Sequence, residues 1–469
     1  METSTDSITY EDVVKRIDKN KVGRILFLIT VVAALGGFLF GYDNGIIGSA
    51  LLYVPFKLTS LQTAELVSLI SFPAAAGALI AGPITDKFGR KSILIADGFM
   101  YAIFALLAAT AVNSTLLIIF RSLTGFAIGA DTAVATAYIS EYSPAKSRGK
   151  YAYSQQLMIF SGGVVSFWIG YSLAFTANWR LMIGLGAVPA VLMLLLRIYL
   201  PESPRWLIMS GKVDKARVVL KRIGVEVKET IKVPEKSASF LEVMGNKSVR
   251  NALIVVGLFL AFQQITGINI ILYYGPYIYK YIGLSGTRAI FNTAISETLG
   301  ILEFWISLML IEKWGRRRLS IIGYGGIVAS IIIVIVGILY FNANAFLSAA
   351  IFIFAGSTLF LAFFHVGVGG IGWILQGESL PPNFRVTGTG IMAACDWIAN
   401  GIILYIFPIW KADFGILSFF VFETILAVIS VLFVFLYLPE TKGKTIEQMK
   451  KVFGRPMNQL RNDINITEE

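Results

Sequence analysis

Twelve separate runs of about twenty or more mostly apolar residues dominate this 469-residue sequence, and nothing else in it restricts the fold so tightly. They fall at 24–50, 62–84, 92–112, 115–140, 150–176, 178–200, 251–281, 288–311, 319–341, 346–377, 386–411 and 414–438. A helix needs about 20 such residues to cross the hydrocarbon core of a bilayer. Strands of a membrane barrel would be about half as long and would alternate with period two, a pattern these runs lack. A soluble chain of this length would wrap two or three cores in charged surface. Here charged residues make up only 15% and apolar residues 56%, against about 25% charged in soluble domains. A soluble enzyme and a disordered chain are thereby excluded. The expectation is an all-α membrane protein with twelve transmembrane helices.

The net charge of +11 invites a nucleic-acid reading, but its distribution argues otherwise. With the N terminus on the cytosolic side, the cytosolic segments hold 34 of the 40 Lys and Arg, with Arg197 counted at a helix end. Lys57, Arg180, Lys280, Arg288 and Lys411 fall outside, and Arg121 alone is left inside an apolar run. This is the positive-inside pattern. It places both termini in the cytosol, and nucleic-acid binding would want a basic soluble module that is absent. Residues 1–24 are too polar for a cleavable leader. One cysteine, Cys395, rules out an intrachain disulfide, and one histidine, His365, speaks against a histidine metal site. No metal or cofactor is expected, and no phosphate-cradling glycine loop with Lys-Ser/Thr is present.

The two halves of the chain repeat. Asp86-Lys-Phe-Gly-Arg-Lys91 returns as Glu312-Lys-Trp-Gly-Arg-Arg317. Glu141 and Arg148 return at the same spacing as Glu378 and Arg385, and Pro201-Glu202-Ser203 returns as Pro439-Glu440-Thr441. The organisation read from this is a cytosolic segment 1–24, a six-helix bundle 25–200, a cytosolic helical linker 201–250, a second bundle 251–438 and a tail 439–469. Within the linker, 213–222 has a helical pattern and 228–239 reads partly as a flexible connection. Two pseudo-symmetric bundles related by an axis along the membrane normal are what such a repeat implies.

These residues resemble the major facilitator superfamily and, within it, the sugar porter family. Asp86–Lys91 resembles the loop after the second helix. Arg121, Gly125 and Gly129 resemble the fourth-helix pattern. The run 201–207 and Pro439-Glu440-Thr441-Lys442-Gly443 are similar to the two sugar porter signatures. Gln263-Gln264-Ile-Thr-Gly267-Ile-Asn269, followed by Tyr273-Tyr274, resembles the family's seventh-helix sugar motif. The resemblance covers nearly the whole chain. It implies alternating-access transport of a monosaccharide with proton symport, by a monomer in the plasma membrane.

The residues bear mechanistic expectations of their own. Asp43 and Arg121 each lie about six residues from the outer end of their helix, so both sit roughly 9 Å deep. Ionised groups there are costly and are usually paired and functional. The carboxylate can accept a proton and the guanidinium cannot release one. Proton-coupled sugar porters resemble this chain in having that pair, while their passive relatives lack the acid. Asp131, about 15 Å further along the helix from Arg121, is expected as a second proton site. A cytosolic gate is expected from Asp86 with Arg90, Glu141 with Arg148, Glu312 with Arg316 and Arg317, and Glu378 with Arg385. By resemblance Glu202 and Glu440 cap these clusters, which would join when the cytosolic ends of the bundles meet and would favour the outward-facing state.

The substrate site follows by resemblance. Gln263, Gln264 and Asn269 would bond sugar hydroxyls, with Gly267 as a hinge. Tyr273 and Tyr274 would stand above the ligand. Phe40, Phe364, Trp373 and Trp397 would stack on it, with His365, Asp396 and Asn400 beside them. The chain also departs from the family. Gly163 stands where the fifth helix usually offers a glutamine, Gly300 where the eighth offers an asparagine, and Asp396 where the eleventh carries an amide. Asp43, Asp131 and Asp396 against a lone Arg121 suggest an acidic cavity. That leaves a polyol or organic cation as an alternative cargo, and a non-transporting sugar sensor as an alternative function, although the tail is short for a sensor. Asp97, Glu297, Glu303 and Glu423 also fall in apolar runs, without an assigned role.

Overall fold

A computed structural model describes residues 7–20, 23–144, 148–232, 240–381, 384–444 and 446–460. Among the described residues, twelve helices are long and apolar enough to cross a membrane. Spans 1 to 6 are Arg24–Ala50, Ser60–Phe88, Arg90–Ala109, Ser114–Tyr142, Tyr153–Ala174 and Trp179–Ile198. Spans 7 to 12 are Lys247–Tyr281, Gly286–Trp314, Arg316–Asn342, Phe346–Glu378, Thr387–Phe414 and Ile416–Tyr437. Large apolar side chains cover the outside, among them Leu302, Met309, Val188 and Phe27, each more than half exposed. A soluble monomer would not expose so broad an apolar surface. Turned toward lipid, it needs no further cover.

The repeated motif has a repeated local cause. Helix Ser71–Phe88 ends at Gly89 and helix Gly286–Trp314 ends at Gly315, with φ of 92° and 82°. Such backbone suits glycine alone, and each glycine turns the chain straight into the next helix at an arginine. The turn leaves two backbone amides open at the new helix start, where an anion is favoured. Glu202 accepts from the amides of Arg90 and Lys91 at 3.0 and 3.2 Å. Glu440 accepts from those of Arg316 and Arg317 at 3.0 and 3.1 Å. A Cβ on either glycine would come within 2.3 Å of that carboxylate. Burial pushes the Glu202 carboxyl above its ordinary range, while the backbone amides pull it back.

Breaks in spans 7 and 10 shape the centre. Helix Lys247–Ile265 stops and helix Ile268–Tyr281 restarts around Gly267, whose φ is 94°. The carboxylate of Glu423 on span 12 fills the space where a Cβ on Gly267 would lie. Span 10 carries a π-helical segment, His365–Gly369, between Phe346–Phe364 and Gly370–Glu378. Such wider turns recur at functional sites.

The segment before span 1 is more ordered than its polar composition suggests. Strand β1 (Ser7–Thr9) pairs in parallel with β2 (Thr230–Lys232), Ile8 opposite Ile231. Helix α1 (Tyr10–Lys19) starts with a capping box between Thr9 and Asp12. Its Val13 and Ile17 are fully buried against the linker residues Ala216, Leu220 and Val225. The linker forms helices Pro204–Met209, Val213–Arg222 and Phe240–Gly245. Part of the connection expected to be flexible is thus strand β2, and 233–239 lie outside the described residues.

Candidate substrate cavity and its charge pairs

Two helices of the N-terminal half and four of the C-terminal half line a central cavity. Spans 1 and 5 supply Phe40, Asn44, Gln156, Phe160 and Gly163, and spans 7, 8, 10 and 11 supply Gln263, Gln264, Asn269, Glu297, Phe364, His365, Trp373 and Asp396. Its free space is about 50 Å³, small against the roughly 300–1,000 Å³ of sites that hold a drug-sized ligand, so the walls stand close together. Contacts between the halves stand on both sides of it. The Tyr273 hydroxyl donates to Asn44, and a Cβ on Gly48 would meet the Tyr273 carbonyl at 2.8 Å. Toward the basic face, Trp373 Nε1 donates to Gln156 Oε1 at 3.0 Å, and the Tyr153 hydroxyl donates to the His365 carbonyl at 3.1 Å.

The polar wall on span 7 is tied together. Gln264 Nε2 donates to Asp396 at 2.7 Å, and Asn269 Nδ2 donates to both Gln264 Oε1 and Asn400 Oδ1. Asn400 then donates to Ser71 of span 2 at 3.1 Å, crossing to the other half. The break at Gly267 brings the last turn of one helix and the first of the next to the same wall. Gln263 keeps a buried Oε1 without a protein partner. Amides both donate and accept, so this wall suits hydroxyl-rich ligands.

Eight of the twelve expected substrate residues line the cavity; Tyr273, Tyr274, Trp397 and Asn400 stand behind it. Tyr274 turns to the Leu404 carbonyl of span 11. Trp397 packs on Phe40 with ring centres 4.7 Å apart and points its Nε1 at Thr132. Gln156 supplies a fifth-helix glutamine two turns before Gly163, so that amide is displaced rather than missing. Gly300 gives its space to Phe160 and His365. His365 Nδ1 lies 2.9 Å from Glu303, a pairing between helices that sequence spacing does not reveal.

Among the described residues, the buried carboxylates Asp43, Asp97, Asp131 and Glu141 of the N-terminal half each meet a guanidinium. Arg121 meets Asp43 with two parallel bonds of 3.0 Å and donates its Nε to the Leu66 carbonyl. Both side chains are at least nine-tenths buried. Arg197 corrects the expectation of a single intramembrane arginine. It is fully buried, 2.7 Å from Asp97 and 2.5 Å from Asp131, and it also donates to the Ala33 and Leu94 carbonyls. Asp131 occupies the space above Gly36, where a Cβ would collide with it. Asp43 and Asp131 therefore do not make the cavity acidic. They belong to separate clusters outside its wall.

The basic-face clusters close within each half. Arg90 bonds Asp86 at 3.2 Å and Glu141 at 3.1 Å. Arg316 bonds Glu312 at 3.0 Å and Glu378 at 2.9 Å, and Thr441 donates to Glu378. The ends of neighbouring helices of one bundle already bring these groups together, so among the described residues the pairs do not require the bundles to meet. Arg317 departs from expectation: its guanidinium donates to the Phe435 carbonyl, not to Glu312. The side chains of Arg148 and Arg385 lie outside what is described.

A twelve-span chain with repeated halves and a central polar cavity defines a transporter of the major facilitator fold. Residues 29–453 match the family described as "Sugar (and other) transporter", and the chain belongs to that family. It is 33% identical over 432 residues to the glucose transporter GlcP of Staphylococcus epidermidis, covering 90% of this chain and 96% of that one. It is 32% identical over 446 residues to the arabinose-proton symporter of Bacillus subtilis, covering 91% and 95%. The solved structure of the proton:xylose symporter XylE bound to 6-bromo-6-deoxy-D-glucose aligns with a TM-score of 0.76. It shares 24% identity, over 91% of this chain and 99% of that chain. The resemblance read from the motifs holds, and the chain is a transporter, not an enzyme.

Proposed function

We propose that the protein is a proton-coupled monosaccharide symporter working by alternating access. Its relatives' names support a sugar cargo and a coupled proton. The observation that carries the coupling is the position of Asp43. Span 1 presents Phe40, Gly41, Asn44 and Gly45 to the cavity, while the intervening Asp43 is held by Arg121 on span 4. The same helix therefore feels both the ligand and the charge pair. Its next residue, Asn44, accepts the Tyr273 hydroxyl that closes the half-helix Ile268–Tyr281 over the cavity.

A proton on Asp43 removes the charge that holds Arg121 and frees span 1 to shift against span 4. Sugar bound to the Gln263 wall draws span 7 to the same helix. Only the doubly loaded form satisfies both contacts, which is a coupling between two binding equilibria. Asp131, sharing Arg197 with Asp97, is a second carboxylate able to take a proton. The clusters around Arg90 and Arg316 stiffen each bundle and, through Arg148 and Arg385, are assigned the gate on the basic face. That face is cytosolic by the positive-inside rule, with both termini inside and the monomer spanning the plasma membrane as bundles 25–200 and 251–438.

The test is uptake into proteoliposomes with an imposed inward proton gradient and a panel of labelled monosaccharides. At least one neutral sugar accumulates above equilibrium, and a protonophore collapses the accumulation. A gradient that leaves uptake of every sugar unchanged would overturn this function.

A further inference from the structure

Span 8 brings to the cavity a carboxyl that the coupling scheme does not use. Glu297 is 2% exposed and lines the cavity. Its Oε1 is buried without a hydrogen-bond partner. A Cβ built on Gly163 of span 5 would lie 3.7 Å from Oε2, in ordinary contact. Glu297 Oε2 thus stands within contact distance of span 5, reaching from one half toward the wall of the other.

The neighbouring acids are already engaged. Asp396 accepts from Gln264, and Glu303 lies against His365. Among the described residues no lysine or arginine lines the cavity; its basic group is His365. A carboxylate carries about four acceptor sites on two oxygens, and a buried polar group without partners calls for an explanation. Adjacent ring hydroxyls present two donors side by side, the pattern two carboxylate oxygens accept.

We propose that Glu297 is a substrate-binding, specificity-determining residue. Its carboxylate accepts hydrogen bonds from two adjacent hydroxyls of a neutral sugar and repels sugars bearing a carboxylate or phosphate. The assignment rests on the sugar-transport reading and extends it to the charge class of the cargo.

The experiment measures equilibrium binding to purified protein, using the neutral monosaccharide that the wild type carries and the uronic acid of the same sugar as competitor. Glu297→Gln weakens the neutral sugar by about tenfold, ~1.4 kcal/mol, and narrows the preference over the uronate by a similar factor. Glu297→Asp, which keeps the charge on a shorter arm, retains the preference with intermediate affinity. Thermal unfolding close to that of the wild type separates this result from misfolding. Unchanged affinity and unchanged preference in Glu297→Gln overturn the assignment alone. A wild type that binds none of the neutral sugars overturns the sugar reading and the assignment with it.

Discussion

The two halves share their backbone plan down to the paired corners at Gly89 and Gly315, yet they bury charge in opposite ways. In the N-terminal half each deep carboxylate meets a guanidinium: Asp43 with Arg121, Asp97 and Asp131 with Arg197, Glu141 with Arg90. In the C-terminal half Glu297, Glu303, Asp396 and Glu423 are as deeply buried, but the partners described for them are an imidazole and an amide. Buried charges are tolerated when paired, so the first half is electrostatically closed, and on the proposed reading its pairs are the ones broken on changing state. The second half buries these carboxylates without a guanidinium, and two of them, Glu297 and Asp396, line the cavity. On the proposed reading, coupling and recognition fall to different bundles, and span 1 touches both.

The comparison breaks if the pair of Asp43 and Arg121 is ornamental. Asp43→Asn is expected to abolish proton-driven accumulation, the largest effect, while sugar exchange across the membrane persists. Undiminished uphill uptake in counterflow-competent vesicles would refute it. Arg197→Gln tests the closed character of the first half. It strands Asp97 and Asp131 together in a dry site, and breaking a buried pair costs about 3–5 kcal/mol. A clear drop in thermal stability in detergent is expected. On the recognition side, Gln263→Ala removes one amide facing the cavity. Roughly tenfold weaker binding, ~1.4 kcal/mol, with accumulation intact at high sugar, is the expected outcome. Equal affinity would move the ligand away from span 7.

The sequence made the fold legible because membrane spans are written locally, as unbroken apolar runs. It also made Asp43 and Arg121 legible, since counting residues from the helix ends put them at one depth. Arg197 escaped because it lies one residue from the end of helix Ala187–Ile198, where a basic residue ordinarily marks the membrane boundary. What sets its role is contact with Asp97 and Asp131, 100 and 66 positions away, and no periodicity encodes such a meeting. Gln156 escaped for a related reason: it sits in a polar stretch, Ser154-Gln155-Gln156, that reads as the rim of a span. The charge clusters on the basic face were legible but their range was not, because spacing along the chain cannot say which bundle a partner belongs to. Strand β1 is too short and too polar to register without β2, more than 200 residues later.

The same contrast extends, weakly, to the chain ends on the basic face. Segment β1–α1 is held at its surface by Arg16 and Glu229, half-exposed groups that also bond through Glu226 and Lys228. The C-terminal helix Ile446–Phe453 is held instead by buried Asn251, which donates to the Phe453 and Arg455 carbonyls at 2.8 and 3.0 Å. Exposed ion pairs contribute about 0–1 kcal/mol, so Glu229→Gln is expected to change amide-exchange protection of α1 only slightly at neutral pH. Acid provides the sharper test. The bond from Arg16 draws the Glu229 carboxyl down to about 2, below its unfolded value of about 4.3. A depressed carboxyl contributes stability above its unfolded value and loses it as pH falls toward the folded one. Protection of α1 should therefore decline between about pH 4.3 and 2 in the wild type, and less steeply in Glu229→Gln. Protection of the C-terminal helix, tied by an amide that does not titrate, should not follow that pH course. Identical acid profiles for the two ends would mean that the ion pair does not hold the N-terminal segment, leaving its docking to buried Val13 and Ile17, the β1–β2 pairing and the contacts of Asp18 and Asn20.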